Sequence, residues 1–297
     1  MRKIILDTDI GCDIDDAFAL AYLLSRNDIE ILGITTVSGL PELRAQLADN
    51  ICSTYGKDIP IYVGNEKSLS NEIRQPKLTK TQTIVANANQ RVFSKDETAI
   101  EFMRSTIEKF PGEVTLVCIG QLTNVATLFL KYPHIPELLK EIVIMGGRYA
   151  ENEYCDTQKW GKTEWNILCD IKAAEVVFSS KVRNFFVMGV EQTCRFCLPP
   201  QVIKNAFDFE TRFKAVAECI STKVEQVYFH DVVTLYAWLY PNEVKINQGN
   251  IDVSCVDDYV KTTFLPNKEG NHCLVTDFSV EKFFKNYIET VNINLII

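Results

Sequence analysis

Five aspartates lie within ten positions near the start of the chain, directly after a short apolar run. They belong to the stretch KIILDTDIGCDIDDAFAL and are Asp7, Asp9, Asp13, Asp15 and Asp16. Carboxylates that converge at the end of a strand raise one another's pKa unless a cation lies between them. Carboxylate oxygens are ligands for hard cations such as Ca²⁺ or Mg²⁺, and the lack of a nearby histidine disfavours zinc. We therefore expect a divalent cation at this loop.

Helix capping is a simpler interpretation of part of this loop. Asp15 and Asp16 directly precede an apolar helical segment, where carboxylates complement the amides and the dipole of a helix N-terminus. Capping accounts for these two residues but leaves Asp7, Asp9 and Asp13 at the same strand end. The spacing thus favours a metal site over capping alone.

Apolar runs alternate with amphipathic segments through the first 190 residues, and these elements must position the acidic loop. We predict strands at 3–6, 29–37, 59–64, 114–120, 141–147 and 184–190, and helices at 15–25, 41–56, 97–110, 122–132 and 171–180. This alternation is typical of an α/β protein with a Rossmann-like, mostly parallel sheet and helices on both faces. In such sheets ligands bind beyond the carboxyl ends of the strands. The loops after KIIL, ITTV, VCIG and IVIMGG should therefore share one crevice.

The C-terminal part is predicted to be more helical. Residues 214–240 form a long apolar stripe, and 243–297 return to short strand-like segments before a final helix near 279–288. Because no linker or charge block divides the chain, we expect a single domain over residues 1–297.

The composition limits the classes of binding partner that we expect. A net charge of −8 without a basic run argues against nucleic acid or an anionic membrane surface, and favours a small neutral or weakly charged ligand. Asp7 and Asp9 interrupt the N-terminal apolar stretch too early for a signal peptide, and no other run approaches a membrane span. Ten dispersed cysteines, including the lone pair Cys194 and Cys197, predict reduced thiols in a cytoplasmic protein.

An apolar strand that ends in DxD resembles two enzyme classes. In haloacid-dehalogenase-like phosphatases the first aspartate, here Asp7, is the nucleophile, but a Thr or Val normally stands where this chain has Gly11. In the inosine-uridine nucleoside hydrolases the first loop is similar to DxDxGxDDA. Three later stretches also resemble that family in the correct order, namely GQLTNVA at 120–126, IVIMGG at 142–147 with EWNILCD at 164–170, and FHDVVTLYAW at 229–238.

This second resemblance implies calcium-dependent hydrolysis of the N-glycosidic bond of ribonucleosides to ribose and free base. Asp9 would be the general base on a metal-bound water, and His230 would protonate the leaving base. The implied calcium ligands are Asp9, Asp15, Asp16, the carbonyl of Thr123, and Asp231. The implied ribose-binding residues are Asp15, Met145, Glu164 and Asn166. Asp7 would turn inward and support the strand end.

The resemblance also implies a role in purine or pyrimidine salvage and a homodimer or homotetramer. Several departures leave the base preference open: the first loop is longer and contains the extra Asp13, Leu40 follows Gly39 where the family has Asn, and residues 65–93 lack a histidine. Two alternatives stay open, an Mg²⁺-dependent phosphatase with Asp7 as nucleophile and a non-catalytic calcium-dependent binder of ribose or nucleosides.

Overall fold

A nine-stranded sheet forms the centre of the protein. The computed structural model describes residues 1–89, 91–93, 98–157, 161–207, 216, 219, 224–256 and 259–291. The strands are β1 (Arg2–Thr8), β2 (Ile29–Thr36), β3 (Ile61–Val63), β4 (Val114–Cys118), β5 (Glu141–Met145), β6 (Phe185–Met188), β7 (Cys197–Leu198), β8 (Val227–Tyr228), β9 (Val244–Val256), β10 (Tyr259–Pro266) and β11 (His272–Phe278).

The strand order is β10-β9-β11-β6-β5-β4-β1-β2-β3, and β7 pairs with β8 in a separate ribbon. In this sheet order, neighbouring strands pair in parallel from β11 through β6, β5, β4, β1 and β2 to β3. By contrast, β9 is antiparallel to both β10 and β11. The chain passes from β1 to β2 and β3 on one side and then returns to β4 on the other side of β1. The carboxyl ends of β1 and β4 therefore flank the point where the strand order reverses, which is where ligands bind in open α/β sheets.

Helices cover the sheet. They are α1 (Asp15–Leu24), α2 (Pro41–Thr54), α3 (Lys80–Asn87), α4 (Ala99–Lys109), α5 (Thr123–Lys131), α6 (Ile135–Leu138), α7 (Trp165–Cys169), α8 (Ile171–Phe178), α9 (Val190–Thr193), α10 (Pro200–Phe207), α11 (His230–Leu239) and α12 (Val280–Val291).

The alternation of side chains along β1 shows that both faces of the sheet are buried. Ile4 and Leu6 belong to one apolar cluster together with Phe18 of α1. Ile5 belongs to a second cluster together with Val125 of α5. Because successive side chains of a strand point to opposite faces, the helices lie on both sides of the sheet, and the predicted α/β class is confirmed.

The prediction of a long helical stripe over 214–240 is partly wrong. Val216 and Cys219 are helical, but the stripe is interrupted over 224–229, because Val227 and Tyr228 pair with Leu198 and Cys197 as an antiparallel ribbon, and α11 begins at His230. Residues 214, 215, 217, 218 and 220–223 of that stretch lie outside the described residues. The predicted final helix is confirmed as α12, and α3, α6 and α7 are short helices that the sequence pattern did not indicate.

Candidate active site

One cavity of about 120 Å³ opens at the carboxyl ends of the central strands. Its lining residues are Asp9, Cys12, Asp13, Asp15, Asp16, Gln75, Ile119, Met145, Glu164, Trp165, Asn166, Val190, His230 and Asp231. The loops after β1, β4 and β5 contribute to this wall as expected. Residues 37–40, which follow β2, do not line it, so this part of the expected crevice is wrong.

Three buried carboxylates meet in this cavity. Asp15 and Asp16 form the first turn of α1, and Asp231 lies in the first turn of α11. One oxygen of each lies within 4.8 Å of the others. Burial and, after it, repulsion from neighbouring aspartates raise the pKa of all three well above the usual range for aspartate. Within the part of the chain that the structure describes, this is the only such group of His, Cys, Asp or Glu residues.

Asp9 lines the same cavity, near the buried guanidinium of Arg44. Its side chain contacts that of Gln75, and burial raises the pKa of its carboxyl while the guanidinium of Arg44 opposes that rise. Arg44 is fully buried, and its Nη1 donates to the backbone oxygens of Asp9 and Ile10. Its Nε donates to the Ser38 oxygen at 2.7 Å. This guanidinium supplies positive charge to the acidic loop and connects it to the loop after β2.

Gly120 allows the loops after β1 and β4 to approach closely. A Cβ at this position would lie 2.8 Å from Oδ1 of Asp9 and 2.9 Å from its backbone nitrogen. A larger residue would therefore push Asp9 away from the cavity. Close packing against Asp9 thus explains why the GQLTNVA stretch has a glycine at this position.

Asp7 is buried and does not line the cavity. Its Oδ1 accepts hydrogen bonds from Thr35 Oγ1 at 2.6 Å and from Asn124 Nδ2 at 2.7 Å. These bonds join β1 to β2 and to α5, as the inward orientation of Asp7 predicts. Burial raises the pKa of Asp7 to about 7.

Glu164 and Asn166 are held rigidly at the N-terminus of α7. The Glu164 carboxylate accepts backbone N–H bonds from Gly147, Asn166 and Ile167, and burial raises its pKa to about 7. The Asn166 Nδ2 donates to the backbone oxygens of Ile119 and Met145 at 3.1 and 3.2 Å. Since the amide nitrogen is used in this way, Oδ1 of Asn166 is left as the acceptor for a ligand hydroxyl.

His230 begins α11, directly before Asp231. Its Nδ1 lies 2.6 Å from Thr193 Oγ1, and its ring stacks on Tyr228 with the ring centroids 5.2 Å apart. Burial lowers the pKa of His230 to about 4. The imidazole is therefore neutral near pH 7 before any charge develops on a bound molecule.

Thr123 is not brought to the cavity. It starts α5, its hydroxyl donates to Asp170 Oδ2, and its backbone oxygen accepts from Thr127 Oγ1 at 2.7 Å. Ile119 lies at the cavity instead, with its carbonyl in contact with Asn166. The prediction of the Thr123 carbonyl as a metal ligand is thus not supported by its position, because β4 ends at Cys118, five residues earlier, and Ile119 directly follows the strand end.

The structure brings together all the other predicted site residues in one wall, namely Asp9, Asp15, Asp16, Met145, Glu164, Asn166, His230 and Asp231. Sequence reasoning missed Gln75, Trp165, Val190 and the buried Arg44. Trp165 lies between Glu164 and Asn166 in the EWN stretch, so its position at the site could have been inferred from that motif. Gln75 and Arg44 carry no local signal, because their roles arise from contacts between distant loops.

The family model for inosine-uridine preferring nucleoside hydrolase matches residues 4–285. The chain belongs to this family. A pyrimidine-specific ribonucleoside hydrolase RihB from Escherichia coli O1:K1 is 31% identical over 210 residues, which cover 68% of this chain and 64% of the relative. The enzyme of the same name from Escherichia fergusonii matches equally well. The alignment thus spans somewhat less than two thirds of these curated relatives.

Solved structures of nucleoside hydrolases have the same fold. A plant nucleoside hydrolase superposes with a TM-score of 0.81 at 21% identity, over 98% of each chain. A purine-preferring ribonucleoside hydrolase from Gardnerella vaginalis gives a TM-score of 0.80 at 20% identity, also over 98% of each chain. Among the described residues of the present family member, no helix combines the length and apolar character that a membrane crossing requires.

Proposed function

We propose that this chain hydrolyses the N-glycosidic bond of ribonucleosides to ribose and free base. The observation that carries the proposal is the single cavity in which three buried carboxylates meet Asp9, the Glu164–Asn166 pair and His230. Family membership supports the same reaction class. The residues offer a proton acceptor, ribose ligands and a proton donor, which are the groups that this hydrolysis needs.

Calcium fits the carboxylate group better than other common ions. The donors are all oxygen atoms, and burial first and repulsion from neighbouring carboxylates second raise their pKa values. Asp9, Asp15, Asp16 and Asp231 would hold the ion, with the backbone oxygen of Ile119 in the place first assigned to Thr123. When bound, such an ion acidifies a water molecule and orients the hydroxyls of the ribose.

The ribose would lie against Glu164 and Asn166. Three backbone amides fix the Glu164 carboxylate, so it accepts a ribose hydroxyl without reorganising. Asn166 presents Oδ1 to a second hydroxyl, and Met145 packs against the sugar. Asp15 adds a further acceptor. Fixed acceptors around the ring also favour the positive charge that develops on the ribosyl group.

Proton transfer is assigned to Asp9 and His230. Asp9 takes a proton from the attacking water as the water oxygen bonds to C1′ of the ribose. The N-glycosidic bond breaks, its electron pair stays on the base nitrogen, and His230 donates a proton to the base. His230 takes up this proton from solvent as the imidazolium and returns to the neutral form, which burial favours, once the base has received it.

We further propose a cytoplasmic enzyme of purine or pyrimidine salvage that acts as a homodimer or homotetramer with one domain over residues 1–297. The phosphatase alternative is disfavoured, because Asp7 is buried behind the cavity and both contacts of its Oδ1 are internal. The non-catalytic binder has the same residues and is separated from the enzyme only by turnover.

The test is an assay of ribose release from a panel of purine and pyrimidine nucleosides. We expect turnover in calcium, its loss after chelation and dialysis, and its return when calcium is added. Asp231→Asn should abolish turnover and weaken calcium binding more than about tenfold, because a charged ligand is lost. Asp58→Asn, whose side chain is 94% exposed, is the matched control and should change neither.

Three results would contradict the proposal in different ways. Full activity of metal-free protein would remove calcium from the site. Tight binding of ribose without turnover would identify the non-catalytic binder, and release of inorganic phosphate from phosphate esters would identify the phosphatase.

A further inference from the structure

A second cavity, of about 260 Å³, adjoins the first. The two share Cys12, Asp13, Asp15 and His230. The remaining wall of the second cavity includes Thr79, Gln82 and Tyr228. Because it extends from the proposed ribose ligand Asp15 past the proposed proton donor His230, it lies where the base of a bound nucleoside would project.

Gln82 lines this cavity and has an acceptor atom without a partner among the described residues. Its side chain is 1% exposed, and its Nε2 donates to the backbone oxygen of Asp13 at 2.8 Å. No described residue gives a hydrogen bond to its Oε1, which is buried. A carbonyl oxygen only accepts, so the bond to Asp13 fixes which end of the Gln82 amide is the nitrogen. Oε1 of Gln82 is therefore a fixed acceptor.

The loop that orients Gln82 is itself anchored. The backbone nitrogen of Thr79 donates to Gly11 at 2.8 Å, and the Cys12 thiol lies 3.4 Å from the Lys77 oxygen. These bonds connect the acidic loop to the start of α3. The amide of Gln82 could not rotate to present its nitrogen to a ligand without losing its bond to Asp13.

We propose that the second cavity holds the departing base and that Gln82 selects bases that offer an N–H donor. This inference rests on the proposed function and deepens it. A buried acceptor without a partner is costly, and a bound donor removes that cost. A base whose donor is replaced by a methyl group leaves Oε1 unpaired and adds a clash. The donor is either a ring N–H, as at N3 of uracil, or an exocyclic amine, as at N4 of cytosine.

The test compares two substrate pairs that differ only in the donor. Uridine is measured against 3-methyluridine, and cytidine against N4,N4-dimethylcytidine, in wild-type protein and in Gln82→Met. In wild-type protein we expect kcat/KM to fall about tenfold or more on methylation in at least one pair. In Gln82→Met that ratio should move toward one, since the loss of the acceptor leaves only the steric part of the penalty. Thr83→Val, a change in α3 outside the cavity, should keep the wild-type ratio.

The p-nitrophenyl riboside, which has no N–H donor, separates this inference from the proposed function. Gln82→Met should lose less activity on this substrate than on uridine or cytidine, and a cooperative thermal unfolding transition checks that the variant is folded. Absence of ribose release from every substrate with wild-type protein would contradict the proposed function. Nucleoside cleavage with equal methylation ratios in wild type and Gln82→Met, for both pairs, would overturn the role of Gln82 alone. The pair that responds identifies the donor.

Discussion

At the scale of single residues, the surroundings of His230 determine the orientation and the protonation of its ring. Thr193 orients the imidazole through Nδ1, and stacking on Tyr228 fixes the plane of the ring. Burial keeps the free imidazole neutral by lowering its pKa to about 4. The need for a proton donor then depends on how well the leaving group tolerates negative charge.

His230→Ala should therefore affect substrates unequally. On a purine or pyrimidine nucleoside we expect a loss of roughly 10²-fold or more, the usual scale for removing a general acid. On p-nitrophenyl riboside most activity should remain, because p-nitrophenolate departs without protonation. Steady-state kinetics on both substrates measures the difference, with His134→Ala, a half-exposed histidine of α6's N-terminus, as control. Equal losses on both substrates would assign His230 to ribose binding or to the fold.

The residues of the site differ in how far the sequence predicts them. Asp9, Asp231 and Glu164 stand in motifs whose order and spacing indicate their positions. Thr123 stands in a motif too, but the motif does not say which backbone oxygen faces the cavity. That depends on where β4 ends and α5 begins, which places Ile119 there instead.

At the scale of elements, the apolar runs predicted the parallel strands because buried strands read as continuous apolar segments. The ribbon of β7 and β8 was not predictable, since two-residue strands have no period and form only through their partner. The burial of Arg44 was not predictable either. The amphipathic pattern of α2 predicted a helix but did not indicate that Arg44 would be buried and would bind the neighbouring loops. A charged residue in a helix is normally expected at the surface.

Arg44→Met tests that anchor. The change leaves the backbone oxygens of Asp9, Ile10 and Ser38 without their buried donor, so we expect the free energy of unfolding to fall by about 3 kcal/mol or more. Arg104→Met in α4 is the matched control, because Arg104 pairs with Glu101 and Glu108 at the surface and should cost less than about 1 kcal/mol. Denaturant unfolding measures both. Similar small losses would mean that the Arg44 bonds are readily replaced.

At the scale of the whole molecule, the formal charge of −8 counts every acidic residue as ionised, although several of them are buried in the interior. Asp7, Glu164 and Glu191 are buried, and burial raises the pKa of each to about 7. Such groups bind protons more tightly in the folded protein than in the unfolded chain. Stability should therefore decline as the pH rises through this range, whereas paired surface carboxylates, such as Asp277 beside Lys245 and Arg195, have the opposite effect.

Glu191 offers the cleanest test of this effect, because it lies outside the acidic cavity and accepts a bond from the Tyr149 backbone nitrogen at 3.2 Å. Burial raises the folded pKa of Glu191 to about 7, above the ordinary glutamate value of 4.5. The stabilisation from the bound proton is therefore complete below about pH 4.5. It is lost as the pH rises through about 7. Glu191→Gln cannot titrate, so relative to this variant the wild-type free energy of unfolding should fall by on the order of 3 kcal/mol between pH 4.5 and 8.

Urea unfolding of both proteins at several pH values, at constant ionic strength and calcium, measures this difference. A constant calcium concentration gives the proposed cation site of Asp15, Asp16 and Asp231 the same conditions in both proteins. Glu269→Gln, at an exposed position, serves as control and should follow the wild-type curve. Parallel curves for wild type and Glu191→Gln would show that Glu191 stays ionised in the folded protein. The interior would then have to contain compensation for its charge beyond the nearby Arg148, whose guanidinium already opposes the rise in pKa.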